Sequence, residues 1–302
     1  MGNLKGRFWL LLSTLFFSSS ILCISEVNGY IPTFKLNALR FILGGTILLI
    51  VSKGFPYKCL SKKEYSYSLL RGVSGIALYY LLETAALSYI TSSMVSILVC
   101  LCYVVEVVYS IWCGSRRLDQ KIVTAVGCTL LGMILICSAE GYCLKVSDAW
   151  IGVTFMILAS ISWVAYIHLE KTKSKKLTTL QGVGLDMLFG GLCILPFVIG
   201  EQSVLWRELP MATYGQLIYL AVCPSALAYL FYNKGTKSMT PEICSLYMNL
   251  IPLISLLFVV IFTEGKLTGV EWLGIILVAA SLLVSNIGND NKTAKASIRK
   301  SI

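Results

Sequence analysis

Histidine is almost missing from this chain: there is one, His168, so a metal centre of the usual His-rich kind has nothing to build on. Charge is scarce too, 13% against about 25% in ordinary globular proteins. No G-x-x-x-x-G-K-[ST] segment occurs, which excludes an ATP site of that type in this chain, and no cofactor motif stands in its place. Acidic residues number 15 against 25 basic ones, a net charge of +10. The basic residues sit in short clusters between apolar runs, a pattern of loops rather than of a nucleic-acid surface. Cysteine is plentiful at 11, but most of it (Cys100, Cys102, Cys113, Cys128, Cys137, Cys193, Cys223, Cys244) lies inside apolar runs, where it packs as a small hydrophobe. A disulfide scaffold is therefore excluded.

What is present is hydrophobicity: 57% apolar residues and a mean hydropathy of +0.79 over 302 residues. Spans of about 20 apolar residues, each enough to cross a bilayer core of about 30 Å, recur down the chain. The pattern predicts an all-α polytopic membrane protein with ten helices, near 8–25, 32–52, 69–89, 92–113, 121–139, 150–168, 179–199, 213–233, 242–262 and 270–287. The bulky Ile21 and Leu22 before Cys23 read as an uncleaved first helix rather than a signal peptide. With the N-terminus inside, the inner segments carry twenty Lys and Arg, Arg71 among them; the outer loops carry three, Lys145, Arg207 and Lys266. That asymmetry places both termini in the cytoplasm of a plasma-membrane protein.

The chain also repeats itself. A shift of 149 residues lays Ala77, Leu78, Tyr80 and Leu81 on Ala226, Leu227, Tyr229 and Leu230, and Thr91, Ser96 and Leu118 on Thr240, Ser245 and Leu267, without a gap. The organisation expected is a first five-helix repeat (1–140), a second (141–288) and a basic cytoplasmic tail (289–302). Five crossings per repeat is an odd number, so the second copy crosses in the opposite sense. Folds of that inverted type hold their substrate near the midplane, between the halves.

Ala38-Leu39-Arg40-Phe41 and Thr263-Glu264-Gly265-Lys266-Leu267, followed by Trp272-Leu273-Gly274, set on ten spans in two halves, resemble the EamA family of the drug/metabolite transporter superfamily. The resemblance covers nearly the whole chain. It departs at Gly114-Ser115-Arg116, where the family usually has Gly-Glu, and at Tyr103, where it often has the proline kept here as Pro252. It implies a carrier of small organic solutes, often an exporter of amino acids or related metabolites.

Ionisable groups within spans are costly, about 2.5–3.5 kcal/mol each on insertion scales, and usually face a cavity or a partner. Arg40, Glu83, Glu106 and Asp186 are the candidates. Matching Gly44-Gly45 to Gly190-Gly191 sets Arg40 on Asp186. Arg40 reads as an ion partner of Glu83, as a side chain snorkelling outward, or as the holder of a substrate carboxylate. Ser92, Ser96, Tyr103, Glu106 and Ser110 fall within about 80° of one helix face, and Ser245, Asn249, Pro252 and Ser255 repeat part of that stripe. The stripe reads as a cavity lining or as interhelical hydrogen bonding. Tyr79, Tyr80, Tyr103, Trp163, Tyr166, Tyr229, Tyr232 and Tyr247 read as stacking groups or interface anchors, and His168 as a headgroup-level residue. Gly72/Gly75, Gly127/Gly132 and Gly182/Gly184 read as close helix packing.

The cavity set is thus Arg40, Tyr79, Glu83, Ser96, Tyr103, Glu106, Trp163, Ser245, Asn249 and Pro252, with Glu83 and Glu106 as proton-coupling candidates. Its partners are a small solute and membrane lipid; oligomeric state is open. The function expected is secondary transport by alternating access. Against it stand an intramembrane lipid-acting enzyme, for which neither a His-rich motif nor paired acids exist, and a non-transporting scaffold or sensor, which has no use for a polar stripe in both repeats.

Overall fold

The computed structural model describes residues 2–52, 61–139, 148–172, 176–263 and 267–298, and the regular elements among them are all helical. Ten helices follow one another. They are α1 (Gly2–Val27), α2 (Thr33–Val51), α3 (Lys62–Gly72, Val73–Leu78 and Tyr79–Ala86 end to end), α4 (Ser92–Leu98 and Leu101–Trp112) and α5 (Gln120–Ala139). After them come α6 (Ala149–Glu170), α7 (Thr179–Val198), α8 (Met211–Leu220, Ala221–Leu227 and Ala228–Thr236), α9 (Pro241–Met248 and Leu250–Thr263) and α10 (Gly269–Ile298). Seven have a stretch long and apolar enough to cross a membrane, and α10 holds a shorter apolar helix, Gly269–Val284. Lys53, Lys58, Lys145, Lys173, Lys175, Arg299 and Lys300, together with the Glu264-Gly265-Lys266 motif, lie outside the described residues.

Two helix ends differ from expectation. α3 starts at Lys62 because Ser61 and Glu64 form a capping box, the Ser61 side chain accepting from Glu64 N and the Glu64 carboxylate from Ser61 N. Arg71, at the edge of the expected helix and counted with the inner charges, therefore lies well inside α3. α10 continues to Ile298, where a tail is expected; Ala294, Lys295 and Ala296 are good helix formers.

The duplication is written into the backbone's irregularities. α3 loosens into a π-helical turn at Val73–Leu78, and α8 does the same at Ala221–Leu227, 149 residues on within one residue. α4 breaks after Leu98 and α9 after Met248, again at matching places. Only α9 has a proline nearby, and Pro252 falls in the first turn of Leu250–Thr263, where its missing N–H costs little. The break thus belongs to both copies and not to the proline. Thr91 and Thr240, matched by the shift, are the N-caps of α4 and α9.

Packing follows the same symmetry. α2 lies on α7, α5 on α10 and α4 on α9, while α1–α8 and α3–α6 exchange when the halves are exchanged. At the pseudo-axis the Cys100 thiol meets the Asn249 carbonyl at 3.9 Å, two positions related by the 149 shift. α2 and α7 run antiparallel: a Cβ on Gly45 would stand 2.8 Å from Gly184 O, and one on Gly191 2.8 Å from the Ile42 side chain. α5 and α10 do likewise, Gly132 against Gly274 and Val278, Gly274 against Ile136. Gly127 was expected to pack closely, yet a Cβ there would meet nothing within 4 Å.

The interior is mostly apolar but admits polar and charged groups, while large apolar side chains cover the outside. Ser13, Ser18, Arg71, Glu106, Asp186 and Asn249 are buried, whereas Ile50, Leu131, Ile134, Ile161 and Leu283 are exposed. Such a surface suits a lipid surround. We call the end where α4 and α6 finish and α7 and α9 begin the basic end; the opposite one, where Glu201 caps the start of α2 through Phe34 N (2.8 Å) and Lys35 N (2.7 Å), is the far end.

Candidate functional site

An aromatic cluster fills the middle of the bundle. Trp163 of α6 stands 5.4 Å from Tyr79, 5.3 Å from Tyr166, 5.8 Å from Tyr229 and 5.3 Å from Tyr232, ring centre to ring centre. Phe17 of α1 closes on Trp163 and Tyr229, and Phe41 of α2 packs on Tyr80 at 4.7 Å. Tyr79, Tyr103, Trp163, Tyr166, Tyr229 and Tyr232 are all buried, so these are not interface anchors. The π-helical turn of α3 contributes by freeing carbonyls: Gly75 O accepts from Tyr229 OH (2.8 Å) and Ser74 O from Ser162 (2.7 Å). Asn233 holds Tyr166 OH at 2.7 Å.

On the far-end side of this cluster the Arg40 guanidinium lies over Phe41 (4.6 Å) and Tyr80 (4.7 Å) and is 3% exposed. Glu83, three residues before the end of α3, is half-buried and takes a long bond from Tyr79 OH (3.4 Å). Arg40 and Glu83 feel each other's charge, but among the described residues no carboxylate lies within 4.0 Å of Arg40, and its Nε has no hydrogen-bond acceptor. Snorkelling is excluded by the burial. Trp163 Nε1 and Tyr232 OH, on the cluster's other side, are buried and face each other. A buried polar atom in a dry bundle is normally paired, so the Arg40 Nε beside the aromatic cluster stands out.

Asp186 is not Arg40's counterpart. It takes Arg71 Nε on both oxygens at 3.1 Å and the Ser68 hydroxyl at 2.7 Å, with Glu170 3.6 Å from the same Nε. This ion cluster joins α3, α6 and α7 at the basic end. Sequence reasoning missed it because Arg71 stands at the edge of the expected helix and its partner is 115 positions away.

The stripe on α4 is divided by the break at Val99–Cys100. Ser96 and Ser245, matched by the shift, have buried hydroxyls without partners among the described residues; the side chain of Ser92 lies outside them. Asn249 donates to Thr129 (3.1 Å), and Ser255 to the Ile251 carbonyl (2.8 Å). Beyond the break, Glu106 is fully buried and meets His168 Nε2 at 3.1 and 3.2 Å. Ser110 lies 3.0 Å from Glu106 and 3.1 Å from Glu242. His168, in the last turn of α6 and partly exposed, turns Nε2 inward to Glu106. Its being the only histidine was the available signal; Glu242 gave none beyond its place after the repeated Thr240 cap. Among the described residues no group of three His, Cys, Asp or Glu is placed to hold a metal, and nine cysteines are free thiols.

With this geometry in view, comparison with known proteins gives a consistent answer. The model of the EamA-like transporter family matches residues 4–138 and again 150–287. The uncharacterized transporter YvbV of Bacillus subtilis is 26% identical over 274 residues, 89% of this chain and 87% of that protein. The uncharacterized inner membrane transporter YicL of Salmonella typhimurium is 24% identical over 303 residues, 97% and 98% of the two chains. A crystal structure at 18% identity superposes with a TM-score of 0.77 over 95% of this chain and 96% of its own, a likeness of fold.

Proposed function

Because the chain belongs to the EamA-like transporter family, and is a multi-pass membrane transporter rather than an enzyme, we propose that it is a secondary carrier for a small zwitterionic metabolite, bound between Arg40, Glu83 and the Trp163 cluster. The observation that carries this is Arg40: a buried cation with no carboxylate beside it among the described residues and an unsatisfied Nε. Breaking one partner away from a buried charge is strongly unfavourable, so a cation held this way is waiting for an anion. A guanidinium grips a carboxylate through two parallel bonds. Glu83, on the same patch and half-buried, suits an ammonium, and the rings of Tyr79, Trp163 and Tyr232 suit the apolar remainder.

Alternating access is supported by the packing. Equivalent helices α2 and α7, and α5 and α10, run antiparallel, which is the arrangement of two halves inserted in opposite senses; ten crossings then leave both ends on the cytoplasmic side of the plasma membrane. Single cysteines at Lys62 and Lys237, in a background without accessible native thiols, are expected to label from the cytoplasm, and one at Tyr30 from outside. Labelling of Lys62 and Lys237 positions from opposite sides would overturn the topology.

The substrate assignment is tested by thermal shift on the purified protein with amino acids, carboxylic acids, amines, nucleosides and sugar phosphates, followed by counterflow in proteoliposomes. A solute carrying both carboxylate and ammonium is expected to stabilise the wild type, by about 2.7 kcal/mol at a hundredfold excess over its Kd. Arg40→Ala should abolish that shift, and Arg40→Lys, lacking the planar fork, should keep only part of it. A zwitterion shift undiminished in Arg40→Ala, or stabilisation by the amines or sugars alone, would refute the assignment.

A further inference from the structure

Ser110 is placed between two carboxylates, and one hydroxyl cannot satisfy both. Its Oγ lies 3.0 Å from Glu106 Oε1 and 3.1 Å from Glu242 Oε1, yet it has a single proton to give. With both acids ionised, one of these two contacts is oxygen against oxygen with nothing between. A proton on one carboxyl completes the chain. Glu242 lies in the first turn of α9, where helix N–H groups favour negative charge, and it faces Arg116. Glu106 is fully buried in the middle of an apolar helix, with His168 Nε2 and the shared Ser110 as its partners and no helix N-terminus or arginine beside it. The consistent arrangement runs from Glu106 O–H to Ser110, from Ser110 O–H to Glu242, and from His168 Nε2–H to the other Glu106 oxygen.

We propose that Glu106, Ser110, Glu242 and His168 form a proton-binding clasp, which joins α4, α6 and α9 at the basic end and takes up one proton as that end closes. The site is separate from the Arg40 patch, which lies on the other side of the aromatic cluster. His168 is half-exposed, so water at the basic end can deliver a proton to its ring, while Glu106 is sealed. On closing, one H+ leaves bulk water and ends on Glu106; on opening, Ser110 loses the bridge, Glu106 meets water and the same H+ returns. The other titratable or charged groups facing the clasp are Tyr109, whose ring stands 4.7 Å from that of His168, Arg116 beside Glu242, and Cys244 with Lys171 nearby. Helix α1 brings Arg7 to Tyr247 on the same side of α9. None of them supplies the missing hydrogen, because none is placed between Ser110 and either acid.

Two measurements on the full-length protein test this, and neither needs a solute, so failure here is distinguishable from failure of the zwitterion assignment. In infrared titration of lipid-reconstituted protein, the protonated-carboxyl signal at neutral pH should lose a component in Glu106→Gln, and that component should move in Ser110→Ala, which keeps both acids and removes only the bridge. A signal untouched by both variants overturns the proposal. For opening, N-ethylmaleimide modification of buried Cys244 is read relative to exposed Cys113 by peptide mass spectrometry. In wild type the ratio should rise with pH more steeply than in Glu106→Gln, by up to about tenfold per pH unit, the slope of a one-proton linkage. Glu106→Gln mimics the protonated acid and removes that excess. Parallel curves for the two proteins overturn the coupling. Should Glu106→Gln fail to fold, Ser110→Ala decides both: loss of the excess slope supports the clasp, an unchanged slope refutes it.

Discussion

Arg71→Ala is expected to remove about 3–5 kcal/mol of stability, enough that little folded protein accumulates. Arg71 and Asp186 are each 1% exposed, and the guanidinium Nε stands 3.1 Å from both Asp186 oxygens and 3.6 Å from Glu170. Taking the cation away leaves two buried carboxylates facing each other across the hole it vacated. Neither is near water, and Ser68, which already donates to Asp186, has no second proton to offer. Asp186→Asn should cost less, because Glu170 still faces the guanidinium and the amide keeps an acceptor for Arg71. The triple variant Arg71→Met, Asp186→Leu, Glu170→Leu should recover much of the loss, since replacing a buried ion cluster by packed apolar groups is often neutral. Thermal unfolding in detergent, with cell-surface yield as a second readout, checks the order. Equal losses in Arg71→Ala and in the triple variant would show that the ion cluster is not what holds these helices.

The same cluster shows what could be read from the chain and what could not. Repetition was legible because it is local: the 149 shift carried Thr91 onto Thr240, and these became the N-caps of α4 and α9. Helix number was legible because hydrophobic runs have a length scale fixed by the bilayer. Partnership was not. Arg71 beside Gly72 reads as the edge of a helix until the Ser61–Glu64 capping box places it about two turns deeper. Likewise, the polar face of α4 was projected on an unbroken helix. The break at Val99–Cys100 carries no proline to announce it, and it separates Ser96 from the Glu106 clasp. Of the residues singled out in sequence, Arg40, Tyr79, Glu83 and Trp163 come together, while Glu106 lies elsewhere, with Ser110 and His168. A pairing across more than a hundred residues depends on topology, which no local pattern records.

Gly45→Leu is expected to be as damaging as loss of Arg71, for a different reason. A Cβ at position 45 would stand 2.8 Å from Gly184 O and 2.8 Å from Leu188 N. Both are backbone atoms of α7, so no side chain can turn aside; the helices have to part. That contact lies in the packing of α2 on α7, two helices that correspond under the repeat, so separating them also disturbs the surface on which the halves meet. Overpacking in a well-filled interior costs about 1–3 kcal/mol where neighbours can yield. Here they cannot, and a loss above about 3 kcal/mol is expected, with transport lost in whatever protein still folds. Gly127→Ala is the control. It too is a mid-helix glycine, in α5, but nothing lies within 4 Å of its missing Cβ. Alanine there should be neutral or stabilising by up to about 1 kcal/mol, the propensity difference alone. Thermal unfolding of both variants decides it: comparable behaviour of Gly45→Leu and Gly127→Ala would mean that the close approach of α2 and α7 is not a feature of the folded protein. The antiparallel register read from it would then lose its support, and with it the inverted relation between the halves.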